Sequence, residues 1–245
     1  MAGHSKWANI RFRKAAQDSR RGKLFSKLIR EITVATRTGN PDPDSNPRLR
    51  SAIDKALAAN MGRDVINRAV QRGSGESGGD GYQDVIYEGY GPGGVAMLIE
   101  CSTDNRNRTV SEVRHALTKH GGNLGTEGSV SYLFNRVGLI QFLSDSDEEQ
   151  IMDVAISAGA DDIDVLDDGS IMVSTPVEFF IDVVKALDEA DISYEEAGIE
   201  QRASASQEIG EEMVDRVLNL INAIEDLDDV QDVYTNAEFF SQAEL

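Results

Sequence analysis

The sequence predicts an α and α/β (α+β) protein of three domains: an N-terminal helical bundle, a discontinuous α+β middle domain, and an inserted β-α-β-β-α-β ferredoxin-like domain. Three observations predict it. The apolar period is helical up to about Arg72 and shifts toward two beyond the glycine-rich stretch from Gly73 to Gly81. From Val137 onward strands and helices follow one another in the order β-α-β-β-α-β. The β-α-β pattern that trails from Arg202 is too little for a layer of its own, so it is expected to complete the sheet begun in residues 82–135. The expected domains are therefore 1–75, 80–135 plus 202–240, and 136–201.

In the first segment Leu24, Phe25, Leu28, Ile29, Ile32 and Ala35 form one helical stripe, with Lys23, Lys27, Arg30 and Arg37 largely off it. Gly39 and the run "NPDPDSNP" stop this helix. Asn46 can cap the next helix by accepting a free backbone N–H. Pro47 fits its first position because the missing N–H would have had no partner there. Leu49, Ile53, Ala56 and Leu57 are the expected inner face of this second helix, and Val65, Ile66, Ala69 and Val70 that of a third, over 63–71. Gly73 to Gly81, "GSGESGGDG", reads as a linker or mobile loop.

Next comes a strand in which Val95, Met97, Ile99 and Cys101 alternate, then a helix with Val110, Val113, Ala116 and Leu117 inward, and "SVSYLF" as another strand. The third domain is expected as strand "VGLIQF", helix 147–158, strand "DIDVL", a turn at Asp167-Asp168-Gly169, strand "SIMVS", helix 176–190 and a strand near "SYEEAGIE". Capping boxes support the helix starts: Ser146 with Glu149, Thr175 with Glu178, and Thr109 with Glu112 in the middle domain. A strand near 202–207, an amphipathic helix through Met213, Val214, Val217, Leu218, Ile221 and Ile224, and the strand "VQDVYT" end the pattern.

Charge divides the chain more sharply than hydropathy does. The formal net charge is −19, yet residues 1–72 hold sixteen Lys and Arg against six Asp and Glu, a net of +10. Beyond Gln141 only Lys185, Arg202 and Arg216 stand among twenty-nine acids. Such asymmetry points to a basic segment with its own anionic partner. The alternative is a solvated helical face, which explains the acidic end better than the basic one. One cysteine, Cys101, excludes an intramolecular disulfide and a thiolate zinc site and fits a reducing cytoplasm. The N-terminus has no apolar run of signal-peptide length, and no stretch of eighteen apolar residues occurs, so a cytoplasmic protein without a membrane partner is expected.

The leading candidate site is the opening block. Lys6, Arg11, Arg13, Lys14, Arg20, Arg21, Lys23 and Lys27 can each meet a phosphate, while His4, Trp7 and Phe12 offer planar surfaces for stacking. The competing reading packs Trp7 and Ile10 on the bundle and leaves the cations solvated. A second candidate is "STDNRNRT", residues 102–109. Here Arg106 and Arg108 stand beside a helix N-terminus that favours an anion, or else pair with nearby carboxylates. The glycine-rich stretches "YEGYGPGG" and "GGNLGTEGS" lack the Gly-Lys-Ser/Thr ending of a phosphate loop and read as turns. Tyr82, Tyr87 and Tyr90 are either stacking platforms or half-buried strand residues. His4, His115 and His120 are scattered, Cys101 alternates with core residues, and Asp167-Asp168 precede a turn glycine. The expectation is no enzyme, no metal and no cofactor.

The segments "MAGHSKWANIRFRKAA", "NPRLRSAIDKALAANM", "YEGYGPGG", "TDNRNRT" and "GGNLGTEGSVSYLF", in that order, closely resemble the YebC/PmpR family over the whole length. The resemblance implies three domains arranged as above and a non-enzymatic protein. It also implies one of two functions: a DNA-binding transcriptional regulator, or a ribosome-associated translation factor that binds ribosomal RNA and relieves stalling at proline-rich stretches. Some members, including the related mitochondrial translational activator, look like factors of the latter kind. The opening motif maps onto His4, Ser5, Lys6, Trp7, Arg11, Arg13, Lys14 and Ala15, and the loop motif onto Asp104, Asn105, Arg106, Asn107 and Arg108. One departure is Gly62, where related sequences often carry Pro or Thr, so a less firmly started third helix is expected. The acidic domains are expected to face other proteins.

Overall fold

A chain whose periodicity changes twice folds into elements of two kinds. The computed structural model describes residues 21–75, 81–166 and 168–239. Contacts divide these into two units: residues 21–27, 81–135 and 202–239 form one, and 28–75 with 136–201 the other.

Three helices open the described chain: α1 (Arg21–Thr38), α2 (Pro47–Ala58) and α3 (Arg63–Ser74). Leu28, Ile32 and Ala35 of α1, Leu49, Ala52 and Ala56 of α2, and Ile66 and Ala69 of α3 are buried. Ile53 and Leu57, expected inside, are only partly covered, and Ala52 takes the inner position. Asn46 does what its position predicts and more. Its Oδ1 accepts from Leu49 N at 3.1 Å, and its Nδ2 donates to Ala35 O at 2.9 Å and Asn40 O at 2.7 Å. One buried side chain thus caps α2 and holds the end of α1. Gly62 stands at the start of α3 without a side-chain cap, yet the helix begins at Arg63, because the Gly62 carbonyl accepts from Val65 N and Ile66 N.

Gly73 corrects the linker reading. It is buried within α3, and a Cβ there would lie 2.5 Å from Thr33 O and 2.6 Å from Thr36 Cβ. Only a residue without a side chain lets the two backbones come this close. Composition alone reads such a glycine as loop, because it does not report packing.

In the other unit a four-stranded sheet has the order β3-β1-β2-β9, with β1 (Gln83–Tyr90), β2 (Ala96–Thr103), β3 (Asn123–Leu124) and β9 (Val230–Thr235). The turn between β1 and β2 is Pro92–Gly94, with φ +75° at Gly93 and +78° at Gly94. Helix α4 (Arg106–Lys119) and α7 (Glu211–Glu225) cover one face. Met97, Ile99 and Cys101 meet Val113, Leu117, Val217, Leu220, Ile221 and Ile224 there, while Ala96 and Leu98 pack on Val130, Phe134 and Tyr234 on the reverse side. Both faces of β2 are therefore buried, which makes it the central strand. Strand β9 runs antiparallel to β2 from Met97↔Thr235 to Cys101↔Val230, with an irregularity at Glu100/Cys101. A short parallel pair, β8 (Gln207–Ile209) with β10 (Ala237–Phe239), lies outside the sequence expectation. Of the stretch expected as strand "SVSYLF", only Phe134 is extended, as the first residue of the next strand; Ser131–Leu133 form a single 3₁₀ turn.

Glu88 explains that turn. Its buried carboxylate accepts from Gly128 N at 2.7 Å, Val130 N at 2.6 Å and Ser131 N at 2.8 Å. These three donors cannot join a ladder while they hold a carboxylate.

The second unit also contains β4 (Phe134–Phe142), α5 (Glu148–Ser157), β5 (Asp162–Val165), β6 (Ile171–Thr175), α6 (Phe180–Glu189) and β7 (Glu196–Ala203), though β4 and β7 each extend past its limits. Their sheet order, β5-β6-β4-β7, with β6 antiparallel to β4 and β5, is that of a ferredoxin-like β-α-β-β-α-β layer. Ile140, Phe142, Ile151, Val173, Phe180, Val184 and Leu187 form its core. The expected capping boxes fail at both helices. Asp147, not Ser146, caps α5 by accepting from Gln150 N, and Thr175 ends β6 so that α6 starts only at Phe180. At α4 the cap is likewise Asn105, accepting from Arg108 N. Thr109 lies inside that helix.

Replacing Asn46 by Ala removes a cap and two further bonds from a buried site. Stability is expected to fall by about 2 kcal/mol, the upper end for a lost N-cap. Chemical denaturation of the two proteins measures the difference.

Candidate nucleic-acid interface

The opening block lies mostly outside the described residues: Lys6, Trp7, Arg11, Arg13, Lys14 and Arg20 do so, with His4 and Phe12. Arg21 is the first residue of α1. Lys23 and Lys27, one turn apart on α1, both turn onto the C-terminal end of α7. Lys23 Nζ donates to Asp226 O at 3.3 Å and lies 4.0 Å from an Asp228 carboxylate oxygen; Lys27 Nζ donates to Glu225 O. Cations at the carbonyl end of a helix oppose its partial negative charge. Burial pushes the Lys27 ammonium below its usual value against the opposing pull of Glu225, Asp232, Asp226 and Asp228. Two of the predicted cations therefore have partners within the chain, and these join α1 to the last helix.

The second candidate separates its two arginines. Arg106 is exposed at the start of α4, where its carbonyl accepts from the Tyr87 hydroxyl. Arg108 turns back. Its guanidinium donates to Asp104 at 2.7 Å and to Asp229 Oδ2 at 2.7 and 3.3 Å. The same Asp229 oxygen accepts from Thr103 Oγ1 at 3.1 Å and Thr109 Oγ1 at 2.8 Å. Asp229 is buried, and burial works against its ionisation, yet the donors from Arg108, Thr109 and Thr103 hold its carboxyl below the usual carboxylate range. The two carboxylates and their hydrogen bonds raise the Arg108 guanidinium above its ordinary value. Of the two arginines, then, Arg106 is exposed beside the Tyr87 hydroxyl, and Arg108 is part of a network that binds the start of α4 to the turn before β9.

Sequence reasoning missed Asp229 and Glu88. A signal existed for Glu88, a carboxylate within the apolar pattern "VIYEGY" next to a glycine-rich stretch. For Asp229, last of the "DLDD" run, nothing local distinguishes it from its neighbours. The remaining candidates have structural surroundings. Tyr90 donates to Ser129 O, burial pushes the Cys101 thiol up to about 12, and Gly121 stops α4 at φ +82°. Among the described residues no group of three or more His, Cys, Asp or Glu is placed to hold a metal ion. No helix among them is long and apolar enough to cross a membrane.

These features define a class: an α+β protein in which a basic helical N-terminal part precedes a discontinuous sheet domain and a ferredoxin-like insertion. The chain belongs to the TACO1/YebC family. Its residues 5–76 match the family's N-terminal domain, and 82–237 match its second and third domains. It is 58% identical to a "probable transcriptional regulatory protein" of Methylococcus capsulatus over 97% of this chain and 96% of that one. It is 55% identical to another of that description in Pectobacterium atrosepticum, over the full length of both. The crystal structure of a conserved hypothetical protein from Aquifex aeolicus is similar, with a TM-score of 0.82 at 47% identity, covering 94% of this chain and 95% of that one.

The geometry predicts different outcomes at the two arginines. Arg108→Ala should lower the melting temperature clearly, because it leaves a buried carboxylate with only hydroxyl donors, whereas Arg106→Ala should leave it unchanged. Thermal melts of the two variants check this. Acid should act on the same network. A carboxyl whose folded pKa is depressed contributes stability that is present above its unfolded value and lost as pH falls. Burial likewise opposes ionisation of Glu88, whose three backbone donors hold it low. Stability due to Asp229 and Glu88 should be complete above their ordinary values of 3.8 and 4.5 and fall away below them. Glu88→Gln should flatten part of that acid limb in melts taken from pH 6 to pH 2.

Proposed function

We propose that this protein is a non-enzymatic regulator of gene expression that binds nucleic acid, with DNA as its target, through the basic N-terminal part. The observation that carries the reading is the net +10 of residues 1–72 within a chain of net −19. The relatives' description as transcriptional regulatory proteins supports the DNA target. Phosphate attracts one part of such a chain and is repelled by the rest, so a polymer engages a limited tip. The residues assigned to contact are Lys6, Trp7, Arg11, Arg13, Lys14, Arg20, Arg21 and Arg106. Lys23 and Lys27 belong to the same basic block of the sequence but share their charge with the end of α7. The domain limits 1–75, 80–135 plus 202–240, and 136–201 are part of this reading, as is a cytoplasmic site of action. The acidic third domain is left to protein partners.

One feature favours a second reading, with structured ribosomal RNA as the target. His4, Trp7 and Phe12 are interleaved with the cations, and planar side chains of this kind stack on unpaired bases, which duplex DNA does not offer.

Binding isotherms of the full chain with a duplex DNA and with a hairpin RNA carrying a single-stranded loop, each at several salt concentrations, test both. Affinity should fall steeply with salt. Arg11→Ala, Arg13→Ala and Lys14→Ala together should make the slope of log K against log salt shallower by about 2.7 on duplex DNA, roughly 0.9 for each lost phosphate contact. Tighter binding to the RNA, lost on Trp7→Ala, would select the second reading. A slope unchanged by the triple substitution would remove the basic block from the interface.

A further inference from the structure

Half of the basic residues beyond residue 72 lie on one helix. Of those eight, Arg106, Arg108, Arg114 and Lys119 are on α4, with Glu112 as its single acid. The other helices of the later chain are acidic. Helix α7 holds Glu211, Glu212, Asp215 and Glu225 against Arg216, α5 holds Glu148, Glu149 and Asp153 with no cation, and α6 holds Asp182, Asp188 and Glu189 against Lys185. A face whose charge only kept the protein in solution would share the sign of its neighbours.

Two of the cations of α4, Arg114 and Lys119, lie on its outward half. Thr109, Val113, Ala116 and Leu117 point into the core, and at 100° per residue this leaves Asn107, Ser111, Arg114, His115, Thr118 and Lys119 on the outward arc, all of them exposed. Apart from Arg108, which Asp104 and Asp229 hold, the face is cationic or carries hydroxyl and amide donors. Among the described residues neither Arg114 nor Lys119 makes an ion pair. At a rise of about 1.5 Å per residue, Arg106 and Lys119 are separated by roughly 20 Å along the axis, enough for several phosphates of one strand.

The surroundings add a second observation. A groove of about 370 Å³ runs beside this face, lined by Ser111, Glu112, His115, Lys119 and His120 of α4 and its C-terminal end, and by Ala223 and Leu227 at the end of α7. That end of α7 is where Lys23 and Lys27 dock. Lys23 and Lys27 of α1 thus lie beside the helix end that borders the α4 groove.

We infer that the outward half of α4, through Arg114 and Lys119 with His115 beside them, together with Arg106 at the start of the helix, is a phosphate-backbone contact additional to the basic N-terminal segment. Asn107, Ser111 and Thr118 supply neutral donors along it. Such contacts fix the register of a polymer and read no bases. The inference rests on the proposed nucleic-acid function and places part of the interface outside the N-terminal domain.

The test is the full chain carrying Arg114→Gln and Lys119→Gln, which preserve helix propensity, against a 20-base-pair DNA duplex and a hairpin RNA at several salt concentrations. Melting should be unchanged. The slope of log K against log salt should become shallower by about 1.8 on the duplex, with affinity at low salt reduced about tenfold. Lys185→Gln, a control on α6, should change neither. If the native protein binds and the α4 variant matches it in affinity and slope, the inference is overturned while the proposed function stands. If the native protein binds neither probe, both fall. Should the double variant melt lower than the native protein, Arg114→Lys with Lys119→Arg restores the charge, and full recovery of affinity by that pair supports the contact.

Discussion

The buried carboxylate of Asp229 is the point on which the middle domain depends. It lies in the turn before β9 and takes donors from Thr103 at the end of β2, Thr109 within α4 and Arg108 of the same helix. A strand from the far end of the chain is thereby fixed to the central strand and to the helix that covers both. More than a hundred residues separate the partners, so closing this loop carries a conformational entropy cost that the network and the β2–β9 ladder must offset. Ion pairing alone would contribute little near a surface. A buried charge with four donor bonds is a different case, because each donor lost leaves it less well compensated.

The same constraint explains what the charges near the loop can do. Arg108 is committed to the fold, and Lys23 and Lys27 join α1 to the helix that precedes Asp229. In the proposed function, contact with a polymer falls to cations that make no ion pair among the described residues: Arg106 at the helix start, and Arg114 and Lys119 on the outward half of α4. The acids of the ferredoxin-like part extend this separation of charge. At physiological salt the screening length is about 8 Å, so in the proposed function they would repel only a polymer that comes close.

Much of the fold was legible because each element had a local cause. Asn46-Pro47 starts α2, the alternation of Met97, Ile99 and Cys101 makes a strand, and Gly93-Gly94 turns it. The failures share one physical origin, which is partners distant in sequence. Ser146, Thr175 and Thr109 look like helix caps, but competing residues took the role at two of these starts and the third helix began without a side-chain cap. Gly73 reads as linker until α1 is seen packed against it. "SVSYLF" looks extended, yet Glu88, some forty residues earlier, claims its N–H groups. The candidate site was legible to the same degree. Charge density showed the basic block and the arginine motif, but which arginine is free to act depended on Asp229, which no local pattern singles out. The cations of α4 form no local cluster in the sequence, because they are interleaved with its core-facing residues Thr109, Val113, Ala116 and Leu117.

The account's central claim is that this acidic protein meets nucleic acid through its basic residues, those of the N-terminal segment and those of α4, and not through residues 141–201. Ultraviolet crosslinking of the full chain to DNA and RNA, followed by mass spectrometry of the crosslinked peptides, tests that most directly. The account predicts adducts in residues 1–22 and 106–119 and none in 141–201. Adducts concentrated in the acidic residues 141–201, or spread evenly along the chain, would contradict it.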